Sequence, residues 1–320
     1  MNRLGIALLI NQLLVSSLGT LLSFAQKMLI SALGLGDLTN AVMLVLKCVA
    51  YFVAFTLPIW VFNLMIKYVD REEYAPQNDG KKASPVDLAC ALVIGLGFVD
   101  MFSIVNYYAV KSILPHYSEY THQNFWSMEL KQPYQIILYF IYVAIIPAIV
   151  EELLFRKTVC DALLPYGKAS AILFSAIFFS LMHSNIEQLL YTFVAGVFLA
   201  WLYVEGKSIL LPMLLHFLNN GKSVLLNVIS QNASTGTYTN VSFVIDMIVL
   251  LLTALALVIV LLKLLKMSAQ GKKEPSEEVD NEITMLTKAQ KASGFLSIGM
   301  ILYVAYCLGT VALYIYKSLV

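Results

Sequence analysis

The run VSFVIDMIVLLLTALALVIVLLKLL (residues 241–265) decides the fold. From Met247 to Leu262 it holds no charged side chain, a length that a water-exposed helix does not tolerate. Crossing the hydrocarbon core of a bilayer takes about 20 mainly apolar residues. Backbone polar groups there find no water, so such a run must satisfy them internally, as a helix. Outward from this segment the pattern recurs over residues 4–26, 41–66, 86–110, 133–157, 168–184, 187–204, 207–227 and 293–316. The expectation is an all-α polytopic transmembrane bundle of about nine (eight to nine) membrane helices. Its parts are a bundle over residues 1–266 with a core at about 131–228, a cytoplasmic linker over 267–292, and an additional transmembrane helix over 293–320.

Composition agrees. Hydrophobic residues make up 59% of the 320 and charged residues 13%, about half the charge content of a soluble protein. Mean hydropathy is +0.78. The net charge of +1 gives no footprint for a nucleic-acid partner; the expected surroundings are the lipid bilayer and a membrane-associated substrate. Cys48, Cys90, Cys160 and Cys307 sit in or beside apolar runs without C-x-x-C spacing, and read as small buried hydrophobes.

Charge placement orients the chain. With Arg3 inside and nine alternating helices, 15 of the 21 Lys and Arg fall on inside segments. The segment from Ser112 to Leu130 has none, and 221–240 has only Lys222. The positive-inside rule then puts the N-terminus in the cytoplasm of an integral membrane protein, expected in a bacterial plasma membrane. Residues 67–85 and 266–292 read as solvated cytoplasmic connections. The stretch HYSEYTHQNFWSMELKQPY (116–134) reads as an interfacial aromatic belt. No internal repeat of the kind found in secondary transporters is present.

Ionisable residues inside membrane helices are costly, and each is a functional candidate. They concentrate in three segments: IIPAIVEELLFRKTVCDALLP (145–165), KASAILFSAIFFSLMHSN (168–185) and KSILLPMLLHFLNNGKS (207–223). Lys27, Lys47, Asp87, Asp100 and Asp246 occur singly and read as snorkelling or capping residues. Glu151 and Glu152 point about 100° apart on a helix. Glu152 shares a face with Arg156 four residues on, which suits a carboxylate–guanidinium pair and leaves Glu151 free. Phe179 and His183 share a face, as do His216 and Asn220. Together Glu151, His183, His216 and Asn220 supply a base, two imidazoles and an amide, an inventory suited to activating water at a carbonyl and stabilising the oxyanion.

In that order on successive hydrophobic helices, E-E-x-x-x-R, F-x-x-x-H and H-x-x-x-N resemble the CPBP family. This family comprises the type II CAAX prenyl endopeptidases and their bacterial Abi and bacteriocin-processing relatives. The resemblance covers about residues 131–228 and implies an intramembrane endopeptidase acting on a membrane-associated peptide or protein. It casts Glu151 as the base that activates water, with His183 sharing that water or a metal, and His216 and Asn220 as the oxyanion site. Glu152 and Arg156 would order the site, and Phe179 would pack beside His183. H-E-x-x-H is absent. Glu151, His183 and His216 could ligate a divalent metal such as zinc, or the site could need no cofactor. The competing reading is a non-catalytic membrane partner, such as a bacteriocin-immunity or scaffold protein.

Depth adds one expectation. At about 1.5 Å per residue, His216 lies about 14 Å from Lys207 and His183 about 22 Å from Lys168, but Glu151 only about 9 Å from Lys157. A fourth helix continuing to about Leu164 reconciles these depths and submerges Arg156. The cavity is then expected to open towards the cytoplasm.

Overall fold

The computed structural model describes residues 1–33, 36–66, 83–117, 130–269 and 297–319. Most of the two expected cytoplasmic connections and of the aromatic stretch 116–134 lies outside the described residues. The helices are α1 (Asn2–Leu33), α2 (Gly36–Ile66), α3 (Pro85–Ile113), α4 (Pro133–Tyr166), α5 (Lys168–Met182), α6 (Ile186–Gly206), α7 (Leu210–Asn232), α8 (Thr235–Ala269) and α9 (Ile298–Leu319). No strand occurs among the described residues.

Seven of these helices are long and apolar enough to cross a membrane, so a helical membrane bundle is what the chain forms. The expected count of nine spans is not reproduced. α5 has only 15 residues. α7 has 23, but His216, Asn219, Asn220 and Lys222 dilute its apolar character. These two helices carry the second and third motifs, so the departure from membrane-helix composition falls where the polar site is.

Local chemistry sets the helix ends. Pro85 and Pro133 occupy first-turn positions, where a missing N–H costs nothing. Ser84 Oγ accepts from Asp87 N at 3.1 Å, and Gln132 and Gln135 cap α4 reciprocally. α4 runs to Tyr166, past Lys157, as the depth argument requires. Gly167 then turns the chain into α5 at φ 104°, a conformation that glycine adopts without a Cβ clash.

One end of the bundle gathers Arg3, Lys157, Lys168 and Lys263. Arg3 Nη1 donates to Met65 O at 2.7 Å, Lys168 pairs with Glu205 at 3.5 Å, and Lys263 pairs with Asp87. At the opposite end Asn232 Nδ2 donates to Leu130 O at 2.8 Å, and Tyr117 Oη donates to Asn185 Oδ1 at 3.1 Å. α3 packs on α6 and α8, α5 on α6, and α1 on both α2 and α9.

α9, expected as an addition beyond the linker, packs into the bundle. Met300, Tyr303 and Cys307 are buried, and Tyr303 Oη donates to Phe178 O at 2.7 Å. Its approach to α1 depends on two glycines. A Cβ on Gly5 would stand 2.3 Å from Gly299 C, and one on Gly299 would stand 2.4 Å from Asn2 O. Small residues at a crossing let membrane helices associate by close packing, where no hydrophobic effect drives them together. Gly299→Val should therefore lower the melting temperature of the detergent-solubilised protein, by an overpacking cost of about 1–3 kcal/mol or more. Gly309→Val, at a position with nothing within 4 Å, should melt with the wild type. Equal melting of all three proteins would show that α1 and α9 do not depend on this contact.

Candidate active site

The site begins with an irregular helix. α4 contains two π-helical stretches, Ile141–Ile145 and Leu153–Cys160, on either side of Ile146–Glu152. Such stretches free carbonyls from the α-helical ladder and are common at functional sites. In a membrane the freed groups need other donors. Ser175 Oγ on α5 donates to Phe155 O at 2.8 Å, and Thr158 Oγ1 donates to Leu153 O at 3.1 Å. Pro147 has no N–H to offer the carbonyl four residues back, at Val143. Asn220 Nδ2 on α7 donates to that carbonyl at 3.0 Å. The proline and the asparagine thus form a complementary pair across two helices, and the pair fixes where Asn220 points.

Glu151, Glu152 and Arg156 are buried. Glu152 binds in two directions. Oε2 lies 2.9 Å from Arg156 Nε, and Oε1 lies 2.8 Å from His216 Nδ1. The first contact is an ion pair not directed as a hydrogen bond, since neither atom finds a hydrogen-bond partner. Arg156 is held instead by charge and by stacking, with Cζ 4.7 Å from the centroid of Phe179. The second contact fixes a tautomer: an ionised carboxylate only accepts, so His216 Nδ1 carries the hydrogen. Its Nε2 is turned towards Glu151, 3.9 Å from Oε2. The other Glu151 oxygen, Oε1, accepts from Tyr51 Oη on α2. Glu151 Oε2 is buried and makes no hydrogen bond.

His183 is held from a different side. α5 ends at Met182, and Ser184 takes φ 48°, an uncommon conformation for a residue with a side chain. Gln12 Nε2 on α1 braces the turn, donating to Met182 O and Ser184 Oγ, each at 2.9 Å. Asn185 caps α6 by accepting from Glu187 N at 2.9 Å. In this setting His183 Nδ1 donates to Phe179 O at 2.9 Å, which leaves Nε2 as its free ring nitrogen. Phe179 lies edge-to-face with both imidazoles, centroids 5.0 Å from His183 and 5.8 Å from His216. It therefore contacts Arg156 and both histidines, more than the single neighbour expected.

Glu151, His183, His216 and Asn220 all line one cavity of about 230 Å³, together with Tyr51, Tyr142, Gln188 and Tyr191. All the residues expected at the site converge there or, for Glu152 and Arg156, stand directly behind it. Two features differ from expectation. Tyr51 was missed, since nothing in the spacing of α2 singles out one tyrosine among 18. The cavity also borders, away from the basic end, a larger space lined by Gln12, Lys47, Tyr117, Tyr139 and Tyr314, with which it shares Tyr51, Tyr142, His183 and Gln188. These lining residues lie towards the end opposite Arg3 and Lys168, whereas the opening was expected on the basic side.

Outside the motifs, Lys222 lies 2.6 Å from Asp100 on α3 and 3.1 Å from Asp246 on α8. Of the three aspartates expected to act singly, Asp100 and Asp246 thus share one three-charge cluster, and Asp87 pairs with Lys263. As to a metal, among the described residues no three His, Cys, Asp or Glu side chains are arranged to hold an ion. Both histidine Nδ1 atoms are committed to Glu152 and Phe179 O. With Nδ1 so bonded, each histidine keeps Nε2, and these two atoms with Glu151 Oε2 are the ones that would hold a metal ion at this cavity.

A buried carboxylate, two oriented imidazoles and a carboxamide around one cavity in a membrane bundle are the parts of a membrane-embedded hydrolase. Similarity to known proteins points to the same helices. The family model described as type II CAAX prenyl endopeptidase Rce1-like matches residues 133–221, from the first residue of α4 to the residue after Asn220. Over these helices the chain is similar to the type II CAAX prenyl endopeptidases, in line with the resemblance that the three motifs carry. Among curated proteins, the membrane-embedded CAAX protease MroQ of Staphylococcus aureus (strain USA300) is 25% identical over 205 residues, which cover 62% of this chain and 78% of that protein. No solved structure matches.

Arg156 is the residue on which this geometry can be tested without an assay. Arg156→Ala should destabilise the protein by about 3–5 kcal/mol, because it leaves Glu152 buried with an uncompensated charge. Arg156→Lys should recover only part of this, lacking the planar group that stacks on Phe179. Thermal melting in detergent checks both, and unchanged melting of Arg156→Ala would mean that Glu152 is not held as an ion.

Proposed function

We propose that this chain is an intramembrane endopeptidase that cleaves a peptide bond of a membrane-associated peptide or protein with water activated by Glu151. The observation that carries the proposal is the meeting of Glu151, His183, His216 and Asn220 at one cavity, with a hydrogen bond already holding Glu151 Oε1 and none made by Oε2. Tyr51 sets the orientation of the carboxylate and leaves Oε2 as the base. Water oxygen attacks the scissile carbonyl carbon and its proton passes to Glu151. The oxyanion accepts hydrogen bonds from the second Nδ2–H of Asn220 and from His216 Nε2–H, with His216 protonated on both ring nitrogens between Glu151 and Glu152. Collapse breaks the C–N bond, and the proton on Glu151 leaves with the new amine. His183, with Nδ1–H tied to the backbone, presents Nε2 to the same water. Oxyanion donors fixed in advance in a dry site need no reorganisation as charge develops.

The basic end faces the cytoplasm in this proposal, by the positive-inside rule, so the cavity is reached from the other face. Cysteines placed at Ser234 and Lys266, at opposite ends of α8, test this. A membrane-impermeant thiol reagent should label Ser234→Cys in intact cells and Lys266→Cys only after permeabilisation. The reverse pattern would invert the topology.

For the chemistry, Glu151→Gln and His183→Ala should each abolish cleavage while the protein still folds. Combining them should add little, because residues acting as one unit are not additive. Asn220→Ala should lose about 10²–10³ in kcat, typical of one oxyanion donor. The natural substrate can be sought by comparing membrane peptides of producing cells with and without active protein. If Glu151→Gln retains full biological function, the chain is a non-catalytic binding partner instead.

A further inference from the structure

The space adjoining the catalytic cavity has a volume of about 720 Å³, within the range of sites that take a small ligand or a few residues. It lies between α1, α2, the first half of α4, the His183 turn and α9, and shares Tyr51, Tyr142, His183 and Gln188 with the catalytic cavity. Most of its wall is apolar side chains, hydroxyls and tyrosine rings. Among the described residues its charged side chains are two lysines, Lys27 and Lys47, and no carboxylate lines it. Lys27 is exposed near the end of its span (Asn2–Leu29) and is placed to snorkel to the interface.

Lys47 is different. It lies six residues inside the span Ala41–Met65, about 9 Å along the helix, and is partly buried. Its Nζ has a long contact to Gln26 Oε1 at 3.4 Å, and among the described residues no carboxylate lies within ion-pair range. An ammonium at this depth is costly and marks a functional position. Tyr51, which holds Glu151, is four residues further on the same face of α2, about 6 Å along the axis.

We infer that this chamber is the specificity subsite of the peptidase and that Lys47 receives a carboxylate of the peptide substrate, from an Asp or Glu side chain or from the C-terminus. The inference rests on the peptidase reading above. An extended peptide advances about 3.3 Å per residue, so the 6 Å offset and the reach of both side chains place the carboxylate two to four residues from the cleaved bond. The rest of the chamber suits apolar neighbours. The walls shared with the catalytic cavity and the one-signed charge among the described residues favour a peptide anion, since that is the occupant whose scissile bond must lie beside Glu151.

The test uses the full chain in phosphatidylcholine vesicles and internally quenched Leu/Ala peptides. One set carries a single Asp at successive positions, a second carries Asn in its place, and a third compares free with amidated C-termini. At one position or at the C-terminus, the wild type should cleave the anionic peptide about tenfold better in kcat/KM than its neutral partner. A hydrogen bond to a charged group is worth at least that much. The position identifies which carboxylate is read. Lys47→Gln should bring the ratio to about one, Lys47→Glu should favour a Lys-bearing peptide, and Lys47→Arg should keep the preference. A wild-type ratio of one, or a ratio unchanged in Lys47→Gln and Lys47→Glu, overturns the inference while leaving the peptidase intact. If the wild type cleaves no peptide more than Glu151→Ala does, the peptidase reading fails and takes this subsite with it.

Discussion

The carboxylate of Glu152 is the group around which the polar core is arranged. It is fully buried, and a lone charge in that position is prohibitive unless it is paired. Arg156 and His216 take one oxygen each. The first partner is on the same helix and the second is on α7, so the same carboxylate neutralises a buried guanidinium and sets the rotation of a neighbouring helix. With His216 held by Nδ1, its Nε2 has one direction left, towards Glu151. A change at Glu152 is therefore a change in the orientation of the cavity's imidazole as well as in charge.

Phe179 extends this arrangement to the third helix. Its ring meets Arg156, His183 and His216, and it packs edge-to-face on Phe155 with centroids 5.3 Å apart. A residue that seems to serve only packing thus fixes the spacing between two imidazoles, while its own carbonyl selects the tautomer of His183. The motif F-x-x-x-H has a physical content here: four residues on a helix bring the ring beneath the imidazole and the carbonyl within reach of Nδ1.

Most of the fold was legible because membrane helices announce themselves by composition. The site's constituents were legible because ionisable groups in apolar runs are rare enough to be conspicuous. Limits appeared where neighbours decide the outcome. Arg156 and Lys157 are adjacent and look alike in the sequence. Arg156 is buried against Glu152 and Phe179, while Lys157 is 62% exposed and pairs with Asp161 at 3.2 Å. The end of α4 cannot be set from either residue alone. Tyr51 is a tyrosine like many others until α2 is placed beside α4. Pro147 is the instructive intermediate case. The carbonyl it leaves unpaired is deducible from its position, but the donor that satisfies it, Asn220, is known only once α7 is in place.

α7 brings these constraints together. Its composition is poor for a membrane helix, yet each of its polar residues has a partner on another helix or on the helix itself. His216 binds Glu152, Asn220 binds Val143 O, Asn219 Nδ2 donates to Asn220 Oδ1 at 3.1 Å, and Lys222 bridges Asp100 and Asp246. Partners on α3, α4 and α8 fix one rotation and one depth for α7, because a turn of the helix would unpair the buried Glu152 and the half-buried Lys222 and Asp100 at once. That is the condition a catalytic helix must meet in a bilayer. Apolar packing alone permits small slides and rotations, whereas a set of directional polar contacts with no water to replace them does not. The residues that make α7 a weak membrane span are thus the ones that hold His216 and Asn220 at the cavity.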